Sequence, residues 1–322
     1  AYCFAQLKQG TCLIRLKQTF ANNHVSFTDQ RGLGHNDLIF DAASAQAVVE
    51  RFRRENVDAV MIINCKFGNE DAAADIAQAL GKPEGRYITL DLRSLREQSA
   101  DWSSQAAAAV AKELRMLLPD GTESALVVGL GNRAMTPDII GPESARHILA
   151  TRHLRRLDVF SSLACVSVLT PGVLGQTGLE AAELVRGAVK AVGPDVVIAV
   201  DALCAQHLGR VCTTVQLSDT GIVPGSGVGN HRGALTRETL GVPVFAIGVP
   251  TVVDAVTLTR DVLEEAGMEE LDAQALRGHE GVMVTLRDID AQALALSRVV
   301  GFGIGLALQP ALSLDELRAL LT

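Results

Sequence analysis

ALVVGLGNRAMTPDIIGP, at residues 125–142, is the stretch that decides the fold of this chain. Its apolar run at 125–130 is typical of a buried parallel strand, and Gly129 and Gly131 allow a sharp turn where that strand ends. The loop that follows puts the carboxylate of Asp138 just past the carboxyl end of the strand. In open α/β sheets this edge is where ligands bind. The alternative is an ordinary strand-to-helix turn in which Asp138 caps the helix.

The bulk composition argues against several classes of protein. The chain has 322 residues, of which 48% are hydrophobic and 20% charged, so a compact fold is expected rather than disorder. The net charge of −8 argues against a nucleic-acid partner. Six cysteines without a CxxC pair predict reduced thiols in a cytoplasmic protein. The apolar residues 299–308 are too few to cross a bilayer and no signal peptide is evident, so no membrane partner is expected.

Strands alternate with helices from residue 84 onward. The predicted strands lie at 87–92, 125–130, 165–169, 195–200, 211–217 and 244–249. The predicted helices lie at 103–118, 143–149, 178–192 and 250–265, and two more follow near the end of the chain. This alternation predicts the α/β class, with a mostly parallel sheet and helices on both faces.

Residues 1–83 follow a different pattern, with helices predicted at 41–54 and 70–80 around a short strand. We divide the chain into this divergent N-terminal α/β segment (a prodomain, a fusion or an engineered junction) and a main domain at 84–322. The segment DAVMIINCKFGNEDAAADIAQALGKP, at 58–83, resembles the first domain of the L-fucose and L-arabinose isomerase family. That resemblance implies a non-catalytic or sugar-binding function as an alternative.

Carboxylates follow several of the predicted strands, at Asp138, Asp201, Asp219 and Asp254. A parallel sheet would bring all of these strand ends to one edge. The strands before Asp138 and Asp201 are apolar almost throughout, which predicts central positions for both. Two carboxylates held close share a proton, so one can take a proton from water while the other donates one to the substrate. Hydrolysis of a peptide bond needs this division of labour. The alternative is that one aspartate caps a helix and the other orders a loop.

The glycine-rich loop GIVPGSGVGN, at 221–230, allows two interpretations. Repeated glycines expose backbone N–H groups, as in a phosphate cradle, and a nucleotide-binding module is therefore one alternative. The loop has neither GxGxxG nor GxxxxGK[ST] spacing, so we favour a tight loop beside the substrate or at an interface, with Gly225 and Gly227 as the candidate substrate contacts.

Histidines and basic side chains are weaker candidates for metal ligands and substrate contacts. The seven histidines show no HExxH motif, but a metal held by Asp138, Asp201 and one histidine is sterically possible. The planar guanidinium of Arg152 could hold a substrate carboxylate. A surface salt bridge is the alternative for Arg152.

Long sequence segments from about residue 80 onward resemble the germination protease family of spore-forming bacteria. They are LVVGLGNRAMTPDIIGP, ATRHL, TPGVLGQTGLE, DVVIAVDAL, TTVQLSDTGIVPGSGVGNHR and ETLGVPVFAIGVPTVVDAVTL. The resemblance implies an α/β fold related to hydrogenase-maturation peptidases and an endopeptidase that degrades small acid-soluble spore proteins during germination. It also implies a homotetramer in the cytoplasm of the spore core, made as a zymogen.

The same resemblance implies an atypical aspartic-type catalysis with no cofactor, although a metal stays possible. TPDIIGP gives Asp138 and IAVDAL gives Asp201 as the two catalytic residues. Family substrates are cut after acidic residues, which makes Arg152 a candidate for recognising the acidic side chain. Asp219, Gly225 and Gly227 are further candidates for substrate binding.

Some positions depart from the family pattern. Arg133 stands where the family usually has an aromatic residue, and the segment at 152–171 is shorter than expected. Residues 1–83 lack the usual acidic N-terminal sequence, so no propeptide cleavage site can be assigned.

Overall fold

The computed structural model describes residues 85–225, 233–267 and 281–321, together with Pro83 and four strands nearer the amino terminus. The helices predicted at 41–54 and 70–80 lie outside the described residues. The division of the chain between residues 83 and 84 stays a prediction.

The described residues include four strands before residue 84, and from there on strands and helices alternate through the main domain. The strands are β1 (Cys12–Thr19), β2 (His24–Ser26), β3 (Ile39–Phe40), β4 (Ala59–Asn64), β5 (Arg86–Asp91), β6 (Ser124–Gly129), β7 (Cys165–Leu169), β8 (Val196–Ala205), β9 (Thr214–Ser218), β10 (Val244–Asp254) and β11 (Met283–Val284). The helices are α1 (Arg93–Gln98), α2 (Trp102–Leu117), α3 (Ile140–Ser144), α4 (Leu174–Thr177), α5 (Ala181–Val192), α6 (Arg237–Leu240), α7 (Ala255–Glu265), α8 (Ile289–Leu308) and α9 (Leu314–Leu321).

The described strands form one mixed sheet in the order β2-β1-β4-β5-β9-β10-β8-β6-β7, with β3 beside β1 and β11 beside β10. The neighbours β10, β8, β6 and β7 run parallel. The pairs formed by β9 are antiparallel, as are those among β1 to β5. The α/β class is confirmed, and the four parallel strands are consecutive neighbours at one end of this order. β9 runs antiparallel because the connection from β8, at 206–213, is too short for a crossover helix.

Helices cover both faces of the parallel strands, as the sequence predicts. On one face, the buried side chains of Val127 and Ile198 belong to the same apolar cluster as α2 and α8. On the other face, Leu126 and Val197 pack in a second cluster with α5. This alternation of neighbouring residues between two buried faces explains why these strands read as continuous apolar runs.

Two strands run further than the sequence predicts. β10 continues through Pro250 to Asp254, so the helix expected at 250–265 begins only at Ala255. β8 continues past Asp201 to Ala205. The reason is that these strands pair with each other over their whole length, with an irregularity at Pro250 that accommodates its missing N–H.

α8 is a core helix. An 18-residue stretch of this 20-residue helix has a mean hydropathy of 1.6, which by length and composition alone would allow a membrane crossing, but 61% of that stretch is buried inside the protein. The apolar stretch identified in the sequence, 299–308, is shorter than the helix, which begins at Ile289. At Gly303 a Cβ atom would lie 2.6 Å from Cγ1 of Val110 and 3.1 Å from the carbonyl oxygen of Ala107. The two helices α2 and α8 therefore meet almost backbone to backbone.

Replacing Gly303 by Ala tests this close packing. The added methyl group would force α8 away from α2, so we expect the free energy of unfolding to fall by about 1–3 kcal/mol. Gly187 on α5 is the matched control, since a Cβ atom there meets nothing within 4 Å. Gly187→Ala should be neutral or stabilising by about 0.5–1 kcal/mol, because alanine favours the helix. Urea unfolding of both variants makes the comparison, and equal stability of the two would contradict the packing.

Candidate active site

The carboxyl ends of β6 and β8 lie side by side at a point where the chain changes direction across the sheet. From β6 the chain passes to β7 on one side, and from β8 it passes to β9 and β10 on the other. Such a switch leaves a crevice outside the two strand ends, which is where open α/β sheets bind ligands. Asp138 follows β6 and Asp201 belongs to β8. The topology thus puts the two predicted aspartates on neighbouring strands.

Asp138 ends the short 3-10 turn Thr136–Asp138 after β6 and is half-buried. The backbone N–H of Asn132 donates to its Oδ2 at 2.7 Å. Gly131 has a φ of +121°, and a Cβ atom there would lie 3.1 Å from Oδ1 of Asp138 and closer still to its carbonyl oxygen. Asp138 does not cap α3, whose N-cap is Ile139 without a side-chain hydrogen bond. Its carboxylate instead folds back over the end of β6.

Asp201 lies where the pairing between β8 and β6 stops. The last paired residues are Gly129 and Val200, whereas β8 continues beside β10 past Asp201. The sequence predicts a strand that ends directly before Asp201. This is right for the pairing with β6, which stops at Val200, and wrong for the pairing with β10, which continues beyond Asp201. Asp201 is only 6% exposed, and its Oδ1 accepts a hydrogen bond from the N–H of Ala202 at 3.0 Å.

Direct backbone contacts join the segments that carry the two aspartates. The N–H of Leu130 donates to the carbonyl oxygen of Val200 at 2.8 Å, one residue before Asp201. Gly141 closes over this bond, since a Cβ atom there would lie within 2.5 Å of backbone atoms of Leu130 and Val200. The turn that ends in Asp138 also lies against β8 and β10. The backbone segments that carry Asp138 and Asp201 are therefore adjacent at this edge of the sheet.

Asn132 connects the loop after β6 with the segment after β7. Besides its N–H bond to Asp138, its Oδ1 accepts hydrogen bonds from the N–H of Ala134 at 3.0 Å and from Nε2 of Gln176 at 2.9 Å. Sequence analysis did not single out these two residues. The available signal for Asn132 is an asparagine directly after a strand and glycine, a position typical of Asx turns. No such signal marks Gln176.

Exposed apolar side chains belong to the two loops that Asn132 connects. Met135 is 58% exposed, Leu174 is 41% exposed and Leu179 is 47% exposed. Met135 precedes the Asp138 turn, while Leu174 and Leu179 follow β7. Apolar groups left in water beside a crevice are typical of a surface that binds another molecule.

Asp219 lies at the opposite edge of the sheet, so the prediction that all four strand-end aspartates share one edge is wrong. β9 is antiparallel to β10, and its last residue Ser218 pairs with Ala246 near the start of β10. Asp219 accepts hydrogen bonds from the N–H of Arg86 at 2.7 Å and from its Nε at 2.6 Å. Asp254 caps α7 by accepting from the N–H of Val256 at 2.9 Å. Both have structural roles within the fold.

Arg152 does not reach the crevice in this structure. Its N–H and that of Thr151 both donate to the carbonyl oxygen of Val166 at 3.0 Å. Val166 pairs with Ala125 near the start of β6. At 3.3 Å per residue, this level is about 16 Å from Leu130, at the far end of the strand. The substrate-binding role of Arg152 stays a prediction that its position does not support.

The glycine-rich loop is described only in part. Gly225 is its last described residue before the gap and has a φ of +74°. Gly227 lies outside the described residues. Gly221 also has a φ of +74°, and the next residue, Ile222, forms an isolated bridge with Leu235. The described part of the loop is therefore a tight turn, and contact of Gly225 or Gly227 with a substrate stays a prediction.

The described histidines are not gathered around the two aspartates. Nδ1 of His207 lies 3.0 Å from Oδ1 of Asp261, and His147 stacks near the ring of Phe302. Within the described ranges, no three His, Cys, Asp or Glu side chains come together as a metal ion would require. His231 lies in the gap of the glycine-rich loop.

The buried thiol of Cys212 and the half-buried thiol of Cys204 do not suit nucleophilic catalysis. Burial raises the pKa of Cys212 to about 11, although the nearby charge of Arg96 opposes this shift. Burial also raises the pKa of Cys204. A nucleophilic cysteine reacts as the thiolate, and these two thiols stay protonated near neutral pH.

Comparison with known sequences identifies close relatives over most of the chain. A sequence model of germination proteases matches residues 41–272, which include Asp138, Asp201 and the stretch at 58–83. The germination protease of Caldanaerobacter subterraneus subsp. tengcongensis is 40% identical over 301 residues, covering 84% of this chain and 91% of the relative. That of Clostridium perfringens is 37% identical and covers 81% and 88%. That of Bacillus subtilis is 44% identical and covers 66% and 61%.

Among solved structures, a NiFe hydrogenase maturation protease from Thermococcus kodakarensis aligns with a TM-score of 0.33 and 20% identity. The alignment covers 60% of this chain and 98% of that protein. At this level of similarity nothing further follows for this chain.

Replacing Asp219 by Asn tests its structural role. The change removes the charge from a part-buried pair with Arg86, so we expect the free energy of unfolding to fall by about 1–2 kcal/mol. Asp120→Asn is the control, because Asp120 is exposed in the turn after α2. It should change stability by less than about 0.5 kcal/mol. Urea unfolding at low and high salt measures both, and an Asp219→Asn protein as stable as the control would exclude the proposed contribution.

Proposed function

The chain belongs to the germination protease family, and we propose that Asp138 and Asp201 are the catalytic residues of this peptidase. The observation that supports the proposal is the topology: Asp138 follows β6, Asp201 belongs to the neighbouring parallel strand β8, and both come at the carboxyl-end side of the switch point of the sheet. Both also fall inside the stretch that matches the family. Family membership gives the function of a spore germination endopeptidase, and the aspartic mechanism, which the family resemblance implies, is part of the proposal.

In the proposed mechanism, a water molecule binds between the two carboxylates. One carboxylate, ionised, takes a proton from this water as its oxygen attacks the carbonyl carbon of the peptide bond. The other, protonated, donates its proton to the amide nitrogen as the carbon–nitrogen bond breaks. The products are a carboxylic acid and an amine, and the two aspartates have exchanged protonation states. Solvent restores the initial state.

The protein contributes rigid placement to this chemistry. Asp138 is fixed by the N–H of Asn132, and Asp201 is fixed within a strand that continues beyond it. Catalytic groups held by rigid elements need little reorganisation when the substrate arrives, which lowers the activation barrier. The hydrogen bond between Asn132 and Gln176 keeps the two flanking loops in register.

We propose small acid-soluble spore proteins as the substrates. The exposed side chains of Met135, Leu174 and Leu179 would contact the substrate chain on either side of the cleaved bond. A zymogen precursor, a homotetramer, a location in the cytoplasm of the spore core and catalysis without a cofactor belong to the same proposal. The zymogen precursor and the homotetramer rest on family membership alone.

Replacing Asp138 or Asp201 by Asn tests the dyad. Either change removes a proton donor or acceptor while keeping the side-chain shape, so cleavage of a small acid-soluble spore protein should fall by at least about 100-fold. Gel analysis of the products over time measures the rate, and a thermal unfolding curve confirms that each variant is folded. Asp120→Asn and Asp219→Asn, tested below their unfolding temperatures, should cleave like the wild type. A folded Asp138→Asn or Asp201→Asn protein with full activity would refute the mechanism.

A metal-dependent peptidase that uses the same carboxylates is distinguished by a chelator. We expect wild-type cleavage to be unchanged after dialysis against EDTA, because the described side chains do not form a metal site. Loss of activity that zinc restores would contradict the metal-free mechanism, even if both aspartates prove essential.

A further inference from the structure

A positively charged cavity lies between α2, α8, α9 and the 3-10 turn Ala145–His147, on elements that carry neither Asp138 nor Asp201. Its volume is about 430 Å³, within the range of sites for small organic molecules. Three arginines line it, Arg146, Arg298 and Arg318, together with His147. No Asp or Glu of the described residues lines it. This concentration of positive charge is unexpected in a chain with a net charge of −8.

The positive charge of the cavity is only partly balanced. Arg146 pairs with Glu143 at 3.2 Å, and Arg318 pairs with Asp315 at 3.2 Å. Among the described residues, Arg298 forms no ion pair within 4.0 Å. Nη2 of Arg318 also donates to Oγ of Ser104 at 3.1 Å. Each guanidinium has five N–H donors, which is more than these contacts use.

His147 responds to the same charges. Burial lowers its pKa, the charge of Glu143 opposes that shift, and the guanidiniums of Arg298 and Arg146 lower it further. The two arginines thus disfavour a further positive charge on His147. An anion that entered would relieve the repulsion among these groups.

One wall of the cavity is apolar and aromatic. The ring of His147 lies 5.3 Å from that of Phe302, and the guanidinium of Arg318 lies 5.6 Å from the Phe302 centroid. Leu314 and Leu321 of α9 line the same space. These contacts hold the cationic groups beside an apolar surface on which an organic ring or chain can rest.

We propose that this cavity binds a small organic phosphate. Three guanidiniums reach it from three different elements, and a phosphate group presents oxygens in several directions that can accept from all of them. A planar carboxylate accepts well from only one or two such groups. The volume exceeds the need of a lone phosphate ion, and the apolar wall would hold the organic part. The site is independent of the proposed peptidase mechanism, and its test requires no cleavage.

Titration calorimetry on the full chain at constant ionic strength tests the proposal, with phenyl phosphate as the probe. We expect phenyl phosphate to bind, inorganic phosphate and benzoate to bind at least about tenfold more weakly, and phenol not to bind. Arg298→Gln should weaken phenyl phosphate binding by about tenfold, the usual effect of losing one charge-assisted hydrogen bond. Arg298 is exposed, so this variant should fold.

Arg186→Gln is the matched control, because Arg186 is exposed on α5 at the other face of the sheet. It should bind phenyl phosphate like the wild type. The proposal is overturned if the wild type does not bind phenyl phosphate, if benzoate binds equally well, or if the two arginine variants lose affinity equally.

Discussion

The backbone hydrogen bond from the N–H of Leu130 to the carbonyl oxygen of Val200 extends the pairing of β6 with β8 by one residue, up to the candidate site. The geometry of the candidate site depends on it. Gly141 lies so close over this bond that no side chain fits between α3 and the two strands. Because Asp201 follows Val200 directly and Asp138 folds back over Gly131, this contact fixes both carboxylates to one rigid frame. Glycine at positions 131 and 141 is therefore a requirement of the site as well as of the turn.

Strand direction decides which of the acidic residues can act together. In the parallel strands, residues that follow the carboxyl end come to the same edge, which places Asp138 beside β8. β9 runs the other way, so Asp219 comes to the far edge and pairs with Arg86 there. The same sequence pattern, an aspartate after an apolar strand, thus gives a candidate catalytic group in one case and an ion pair in the other.

Much of this arrangement could be predicted from the sequence because it depends on local patterns. Apolar runs identify β6, β7 and β8, and the segments that resemble the family identify Asp138 and Asp201 as candidate catalytic residues. Strand direction could not be predicted in the same way, since it follows from the length of the connection at 206–213 and from the pairing of β10 between β8 and β9. The position of Arg152 at the amino end of β7 depends on a hydrogen bond to Val166, for which the local sequence gives no signal. The cationic cavity likewise combines residues from four separate segments.

The central claim is that the two carboxylates meet over one water molecule. A high-resolution crystal structure of the active protein tests this claim most directly. We predict one ordered water within hydrogen-bond distance, about 2.6–3.2 Å, of a carboxylate oxygen of Asp138 and of one of Asp201. Carboxylates that point into different spaces, or that lie too far apart to share a water, would contradict it.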